Sequence, residues 1–134
     1  MDASWLDGPQ PAVLATYDED GSVRMTPVWY RRREGAFEVV IAEGDRKLRN
    51  LRRDPRCTLL VFEAVPPFSG LEARGDAEIV EGDVAEARAE IASRYLGPAA
   101  GARFAAERTK PGVLVRIAAT PHEWDLAAIL PRQA

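Results

Sequence analysis

The chain has little of the side-chain chemistry that enzymes most often use. Its 134 residues include one cysteine, Cys57, and one histidine, His122. A single cysteine excludes an internal disulfide and a thiolate metal cluster, and the apolar run around Cys57 favours a buried structural thiol. His122 has no nearby sequence partners for a metal site or a catalytic triad. The sequence therefore indicates either a borrowed cofactor or no catalysis.

Long apolar runs and an excess of basic residues are also missing. No segment approaches the length needed to span a bilayer, and the first residues lack the charge and apolar region of a signal peptide. The net charge is −3 at pH 7, and no basic stripe with interleaved aromatics occurs, which argues against a nucleic-acid partner. We expect a cytoplasmic protein with a single domain over residues 1–134, because this length supports one modest core.

What the sequence does contain is a series of short strands. Apolar patterning and tight turns predict strands at 11–17, 22–32, 36–42, 56–63, 71–80 and 113–118, and a further edge segment at 124–129. Helices are predicted at 46–53, from a capping box of Asp83 and Glu86 to Gly97-Pro98, and at 99–107. This order favours a mainly antiparallel barrel with helices packed at its side.

The strand predicted at 56–63 is apolar on both faces. Cys57, Leu59 and Val61 alternate with Leu60 and Phe62. Such a strand either lies in the centre of a sheet or is covered by a second subunit.

The short basic helix predicted at 46–53 is the most informative segment. Asp45 precedes it as a candidate N-cap, and Arg46 and Lys47 lie beside the unpaired N–H groups of its first turn. Such a helix start suits a phosphate group. Asn50, one turn beyond Lys47, is placed to tie the helix to the neighbouring strand. The alternative is a solvated basic helix without a ligand.

Several motifs resemble those of one protein family in their order and spacing. They are PAVLAT at 11–16, DG at 20–21, TPVWY at 26–30, RKLRNLRRDPR at 46–56 and LEARGDA at 71–77. Over residues 12–118 the chain resembles the split β-barrel flavin and deazaflavin oxidoreductases, which are the pyridoxamine 5'-phosphate oxidase-like proteins. It is most similar to the actinobacterial branch that uses the deazaflavin coenzyme F420.

The resemblance implies a homodimer with two cofactors in clefts between the subunits. The cofactor phosphate would meet Arg46 and Lys47, and the ring would lie along the second and third strands. The predicted cofactor-binding residues are Arg24, Met25, Thr26, Pro27, Val28, Val40, Ile41, Ala42, Arg46, Lys47 and Asn50.

The function that the resemblance implies is hydride transfer from reduced F420 to an activated small-molecule acceptor. The alternatives are an FMN-binding oxidoreductase of the same fold and a non-catalytic cofactor-binding protein or structural dimer. No residue is assigned a catalytic role. Tyr30 is the nearest candidate proton donor, with an aromatic packed at the barrel end as the alternative. Trp29, on the opposite strand face, is expected in the core.

Overall fold

The computed structural model describes residues 4–118 and 120–125, and these form a mainly β fold with three α-helices. A short 3₁₀ helix, Ser4–Asp7, comes first. The remaining elements are β1 (Ala12–Tyr17), β2 (Val23–Val28), β3 (Arg31–Arg33), β4 (Ala36–Ala42), α1 (Arg46–Arg53), β5 (Arg56–Phe62), β6 (Ser69–Val80), α2 (Ala85–Leu96), α3 (Pro98–Glu107), β7 (Gly112–Ile117) and β8 (Thr120–Asp125).

The strands form one curled antiparallel sheet in the order β2-β1-β5-β6-β7-β4-β3, and β8 pairs with β6. The long strand β6 joins the two halves. Its first part pairs with β5, from Gly70 opposite Phe62 to Asp76 opposite Arg56, and residues 77–80 pair with β7. This arrangement is a split antiparallel barrel with flanking helices, which confirms the predicted fold class.

The core lies inside the curl because alternate strand residues point to the same face. Leu14 of β1 lies opposite Leu59 of β5, and Val39 of β4 lies opposite Val115 of β7; all four are buried. Helix α1 contacts β1 and β4. Its Leu48 and Leu51 are buried, as their spacing of three residues predicts.

The prediction of one continuous strand at 22–32 is wrong, because this segment forms two strands. β2 ends at Val28 and pairs with β1, whereas β3 begins at Arg31 and pairs with β4 in the other half of the sheet. Tyr30 holds this crossing in place. Its side chain is fully buried, its Oη donates to the carbonyl oxygen of Leu6 at 2.6 Å, and its ring packs edge-on against Phe37. Residues 22–32 cannot form one continuous strand, because β2 pairs with β1 and β3 pairs with β4.

Only the Asp83 half of the predicted capping box at the start of α2 is formed. The residue before the helix is Val84, and the Asp83 carboxylate accepts a hydrogen bond from the Ala85 amide at 2.9 Å. Glu86 does not turn back to the cap, because its carboxylate accepts hydrogen bonds from the Arg31 guanidinium at 3.1 and 3.2 Å. An ion pair with Arg31 has therefore replaced the local hydrogen bond that a capping box would form.

Two predictions concern strand position. β5 lies between β1 and β6, which confirms that the strand at 56–63 is central, and its Leu60 and Phe62 are half-buried on the outer face. The last edge strand is Thr120–Asp125 rather than 124–129, and residues 126–129 lie outside the described residues.

Helices α2 and α3 form a tight hairpin against the barrel. Gly101 of α3 is buried against α2, where an added Cβ would lie 2.5 Å from the Ser93 Cα, so the close approach requires glycine. The Arg94 guanidinium fastens the hairpin to the 3₁₀ segment by donating to the carbonyl oxygens of Asp7 and Gly8 at 3.1 and 2.8 Å. The hairpin thereby supplies one side of the cavity described next.

Candidate functional site

A cavity of about 430 Å³ lies where β2 and β4 meet the start of α1 and the α2–α3 hairpin. Its volume is within the range of about 300–1,000 Å³ that is typical of small-molecule sites. The lining residues are Pro27, Val28, Trp29, Val40, Ala42, Lys47, Arg88, Ile91, Ala92, Phe104, Arg108 and Lys110. We call this the main cavity.

The strands supply the apolar residues of one side of the main cavity. Pro27 and Val28 come from β2, and Val40 and Ala42 come from β4. All four belong to the predicted cofactor-binding set. Ile41 also belongs to that set, but its side chain is buried in the core because it alternates with Val40 and Ala42.

The remaining predicted residues of β2 lie elsewhere. The Arg24 Nε donates to the Asp18 carboxylate at 3.0 Å, and Met25 is 64% exposed on the outer face of the sheet. The Thr26 hydroxyl is buried and has no hydrogen-bond partner within the described residues. None of these three residues lines the main cavity.

Helix α1 separates two cavities. Lys47 lines the main cavity, whereas Arg46 and Asn50 line a second, polar cavity of about 550 Å³ together with residues 18–20, Arg49 and Arg53. Consecutive residues of an α-helix point about 100° apart, which explains the divergence. The two residues that were predicted to meet one phosphate therefore line different cavities.

Asn50 ties α1 to the end of β1, as its position predicts. Its Nδ2 donates to the Thr16 hydroxyl at 3.1 Å and to the Asp18 carboxylate at 2.9 Å, and the residue is buried. The hydrogen bond from Asn50, followed by the one from Arg24, lowers the pKa of Asp18.

Asp45 caps α1, which confirms the predicted N-cap. Its carboxylate accepts from the Lys47 amide at 3.0 Å and from the Lys47 Nζ at 2.7 Å. Burial raises the pKa of Asp45. The hydrogen bonds from Lys47 and the nearby charge of Lys110 lower this pKa by more than burial raises it, so the pKa lies below its usual value. The carboxylate is therefore ionised at neutral pH and partly neutralises the Lys47 charge.

The hairpin and the loop after it bring three basic residues to the main cavity that the sequence reasoning did not identify. They are Arg88, Arg108 and Lys110. The Arg88 guanidinium donates to the carbonyl oxygens of Arg108 and Lys110, both at 3.1 Å. A Cβ at Gly112 would lie 2.8 Å from the Arg88 Nη2, so the glycine at the start of β7 makes room for this guanidinium. No local pattern marks Arg88, because its neighbours are 20 or more residues away in sequence.

Two aromatic rings complete the hairpin side of the main cavity. Trp29 stacks on Tyr95 with ring centroids 5.0 Å apart and contacts Phe104 at 5.3 Å. The Arg108 guanidinium lies 4.2 Å from the centre of the Phe104 ring. The expectation that Trp29 belongs to the core is wrong: it is 36% exposed because the chain turns between β2 and β3 at this residue.

Tyr30 and Cys57 are structural residues. The Tyr30 hydroxyl bonds to the protein interior, and burial raises its pKa to about 12, so it offers no readily transferred proton to the cavity. This confirms the packed-aromatic alternative. Cys57 is buried, and burial raises its pKa to about 11, which leaves the thiol protonated and unreactive at neutral pH.

Within 4–118 and 120–125, no three histidine, cysteine, aspartate or glutamate side chains are grouped so that they could hold a metal ion. In that described part of the chain, no helix is both long and apolar enough to cross a bilayer.

One protein-family model matches most of this chain. The family model for pyridoxamine 5'-phosphate oxidase matches residues 3–126. The fold is similar to that of the conserved hypothetical protein Rv2991 from Mycobacterium tuberculosis, with 28% identity and a TM-score of 0.77 over 100% of this chain and 91% of that one.

Two further solved structures share the fold. One is an F420 reductase with 24% identity and a TM-score of 0.73, over 90% of this chain and 94% of that one. The other is an FAD-binding protein from Mesorhizobium loti with 16% identity and a TM-score of 0.64, over 92% and 94% of the two chains. With the split barrel and the extent of the family match, the chain belongs to the pyridoxamine 5'-phosphate oxidase family.

Proposed function

We propose that this chain is a coenzyme F420-dependent oxidoreductase that binds its cofactor in the main cavity and reduces a small-molecule acceptor. The observation that carries the proposal is the composition of the cavity. It combines an apolar side built from β2 and β4 with two lysines near the start of α1, Lys47 and Lys110, and none of its lining residues in the described part of the chain is acidic. That set suits a flat ring joined to an anionic chain.

The residues present fit such a cofactor. Val28, Val40 and Ala42 offer an apolar surface for the ring, and Lys47 lies at the start of α1 for the phosphodiester. Lys110 lies near the same helix start, because its Nζ is 3.8 Å from the position of a Cβ at Gly44. When bound, the reduced deazaflavin supplies the hydride for the reaction.

The chain's own contribution is binding and orientation. The lining residues of the main cavity in the described part carry no carboxylate, imidazole, thiol or phenol. The hairpin supplies further apolar lining residues to the same cavity, Ile91, Ala92 and Phe104. Rate enhancement would come from holding the acceptor against the ring at a fixed distance and from the placement of positive charge.

The proposal also includes a homodimer. On β2, Val23 is 56% exposed and Met25 is 64% exposed. Their cross-strand neighbours are Tyr17 and Ala15, so the apolar surface continues onto β1. In the proposed homodimer, a second copy of the chain packs against this outer face.

The choice of F420 over FMN rests on charge. FMN ends in a phosphate dianion, whereas F420 has a phosphodiester with one negative charge and a tail of carboxylates. Asp45 lies beside Lys47 and repels the dianion more strongly. Arg46 and Arg49 of the second cavity offer positive charge to the tail.

Competitive fluorescence titration with F420 and FMN tests the proposal. We expect F420 to bind at least tenfold more tightly, about 1.4 kcal/mol, and this advantage should shrink as salt rises because the tail contacts are exposed. Asp45→Asn keeps an N-cap acceptor and removes the charge. It should therefore raise the affinity for FMN more than that for F420. Equal or tighter FMN binding by the wild-type protein would replace F420 with FMN as the cofactor.

A further inference from the structure

The hairpin side of the main cavity has a chemistry of its own. It consists of the rings of Trp29 and Phe104, the apolar Ile91 and Ala92, and the guanidinium groups of Arg88 and Arg108. The strand side and the start of α1 already satisfy the requirements of the cofactor in the proposed function. The hairpin side therefore needs a separate explanation.

The two guanidinium groups lie in an apolar cavity wall without a carboxylate partner in the described part of the chain, and Arg88 donates to the carbonyl oxygens of Arg108 and Lys110. Many arginines are paired, as Arg31 is with Glu38 at 2.8 Å and Arg52 with Glu43 at 2.7 Å. Among the described residues, neither Arg88 nor Arg108 has a carboxylate oxygen within 4 Å. Positive charge is thus left available beside aromatic rings in a chain whose net charge is −3.

The aromatic rings are held in fixed positions. Trp29 is stacked on Tyr95 at an interplanar angle of 9°, and the Tyr95 hydroxyl donates to the carbonyl oxygen of Gln10 at 2.9 Å. Phe104 is tilted by 47° to Trp29 and carries the Arg108 guanidinium near its face. Fixed rings lose little conformational entropy when a flat molecule packs against them.

We propose that the hairpin side of the main cavity is a subsite for a planar aromatic anion, and that the acceptor reduced by this protein belongs to that chemical class. The identification of the ligand as the acceptor rests on the proposed function. The subsite itself does not require the cofactor. Trp29 and Phe104 contact the ring system of the ligand. Arg108, assisted by Arg88, binds its anionic group.

The test uses two probes that differ by one charge. 8-Anilinonaphthalene-1-sulfonate carries a flat naphthalene ring and one anionic group, and N-phenyl-1-naphthylamine is the same molecule without the sulfonate. Both are titrated by fluorescence into the folded, cofactor-free protein. We expect the sulfonate to bind at least tenfold more tightly, which reverses the order expected from hydrophobicity alone.

Three variants assign the binding to the subsite. Arg108→Gln should weaken sulfonate binding about tenfold and leave the neutral probe within twofold, and Phe104→Ala should weaken both probes. Arg103→Gln is the matched control, because Arg103 is exposed on the same helix and does not line the main cavity. Its affinities should equal those of the wild-type protein. The proposal would be overturned if Arg103→Gln lost the preference for the sulfonate, or if Arg108→Gln kept it.

Titration in the presence of F420 separates this inference from the proposed function. If the sulfonate still binds the F420-saturated protein, the two ligands occupy different parts of the cavity, as we propose. If they compete, the cations belong to the cofactor and the acceptor class is refuted. If F420 does not bind at all but the probe pattern holds, the subsite stands and the proposed function fails.

Discussion

At the scale of single residues, the important result is that Arg46 and Lys47 are neighbours in sequence but line different cavities. Lys47 lines the main cavity and bonds to Asp45, whereas Arg46 lines the polar cavity with Arg49 and Arg53. The difference follows from the helical rotation between consecutive residues. Under the proposed function, the phosphate depends on Lys47, and Arg46 acts only on the distant carboxylate tail.

Lys47→Ala tests this division. The variant should lose about 1.5–3 kcal/mol of F420 binding free energy, the range for a hydrogen bond to a charged group. Its free energy of unfolding should fall by at most about 1 kcal/mol, because the pair with Asp45 is partly exposed. Isothermal titration calorimetry measures the affinity. Arg46→Ala is the control and should lose less, with the loss disappearing at high salt. Equal losses in both variants would refute the assignment of the phosphate to the main cavity.

At the scale of elements, the α2–α3 hairpin decides the shape of the main cavity, and ion pairs hold it to the barrel. The Arg31 guanidinium on β3 is buried and bonds to Glu38 of β4 and to Glu86 and Glu90 of α2. Arg33, two residues later, bonds to the same two carboxylates of α2 but is 48% exposed. The two arginines therefore share their partners on α2 but differ in burial and in the additional pair of Arg31 with the buried Glu38.

Arg31→Met and Arg33→Met form a matched pair. Loss of the buried Arg31 charge leaves Glu38 buried with Arg116 as its remaining cationic partner, at 3.0 Å. We expect Arg31→Met to lower the free energy of unfolding by about 3–5 kcal/mol, as breaking a buried ion pair does. Arg33→Met should cost less than about 1 kcal/mol, since exposed pairs contribute little. Urea unfolding followed by circular dichroism measures both, and similar costs would show that the buried Arg31–Glu38 pair adds nothing to the attachment of the hairpin.

At the scale of the whole molecule, the exposed outer face of β2 points to association. Val23 and Met25 are among the exposed large apolar side chains, and they lie side by side on one strand face. Under the proposed homodimer, a second copy of the chain covers these two side chains.

Sedimentation at micromolar concentration should give about twice the chain mass, since a stable dimer interface buries roughly 2,000 Å² or more. Met25→Glu should shift the protein towards the monomer, because a charge in the interface is costly to bury. Val65→Glu is the control, as Val65 is 62% exposed in the loop between β5 and β6. A wild-type monomer would exclude the dimer, and dissociation by both variants would exclude β2 as the interface.

The sequence by itself determined the elements that depend on local rules. Most strand and helix positions, the Asp45 cap, the burial of Leu48 and Leu51, and the link from Asn50 to β1 could all be predicted, since they depend on residue spacing and on near neighbours. The motif order was enough to recognise the family. About half of the predicted cofactor-binding residues line the main cavity for the same reason, as β2, β4 and α1 were placed correctly.

Only the tertiary structure decided which residues meet in the cavity. Arg88, Phe104 and Arg108 come from the hairpin, and their position depends on how α2 and α3 pack, on the close contact at Gly101 and on the space beside Gly112. The break after Val28, which turns Trp29 out of the core, depends on the chain changing partners between the two half-sheets. Such contacts join residues far apart in sequence, and no local pattern of apolar, capping or turn residues encodes them.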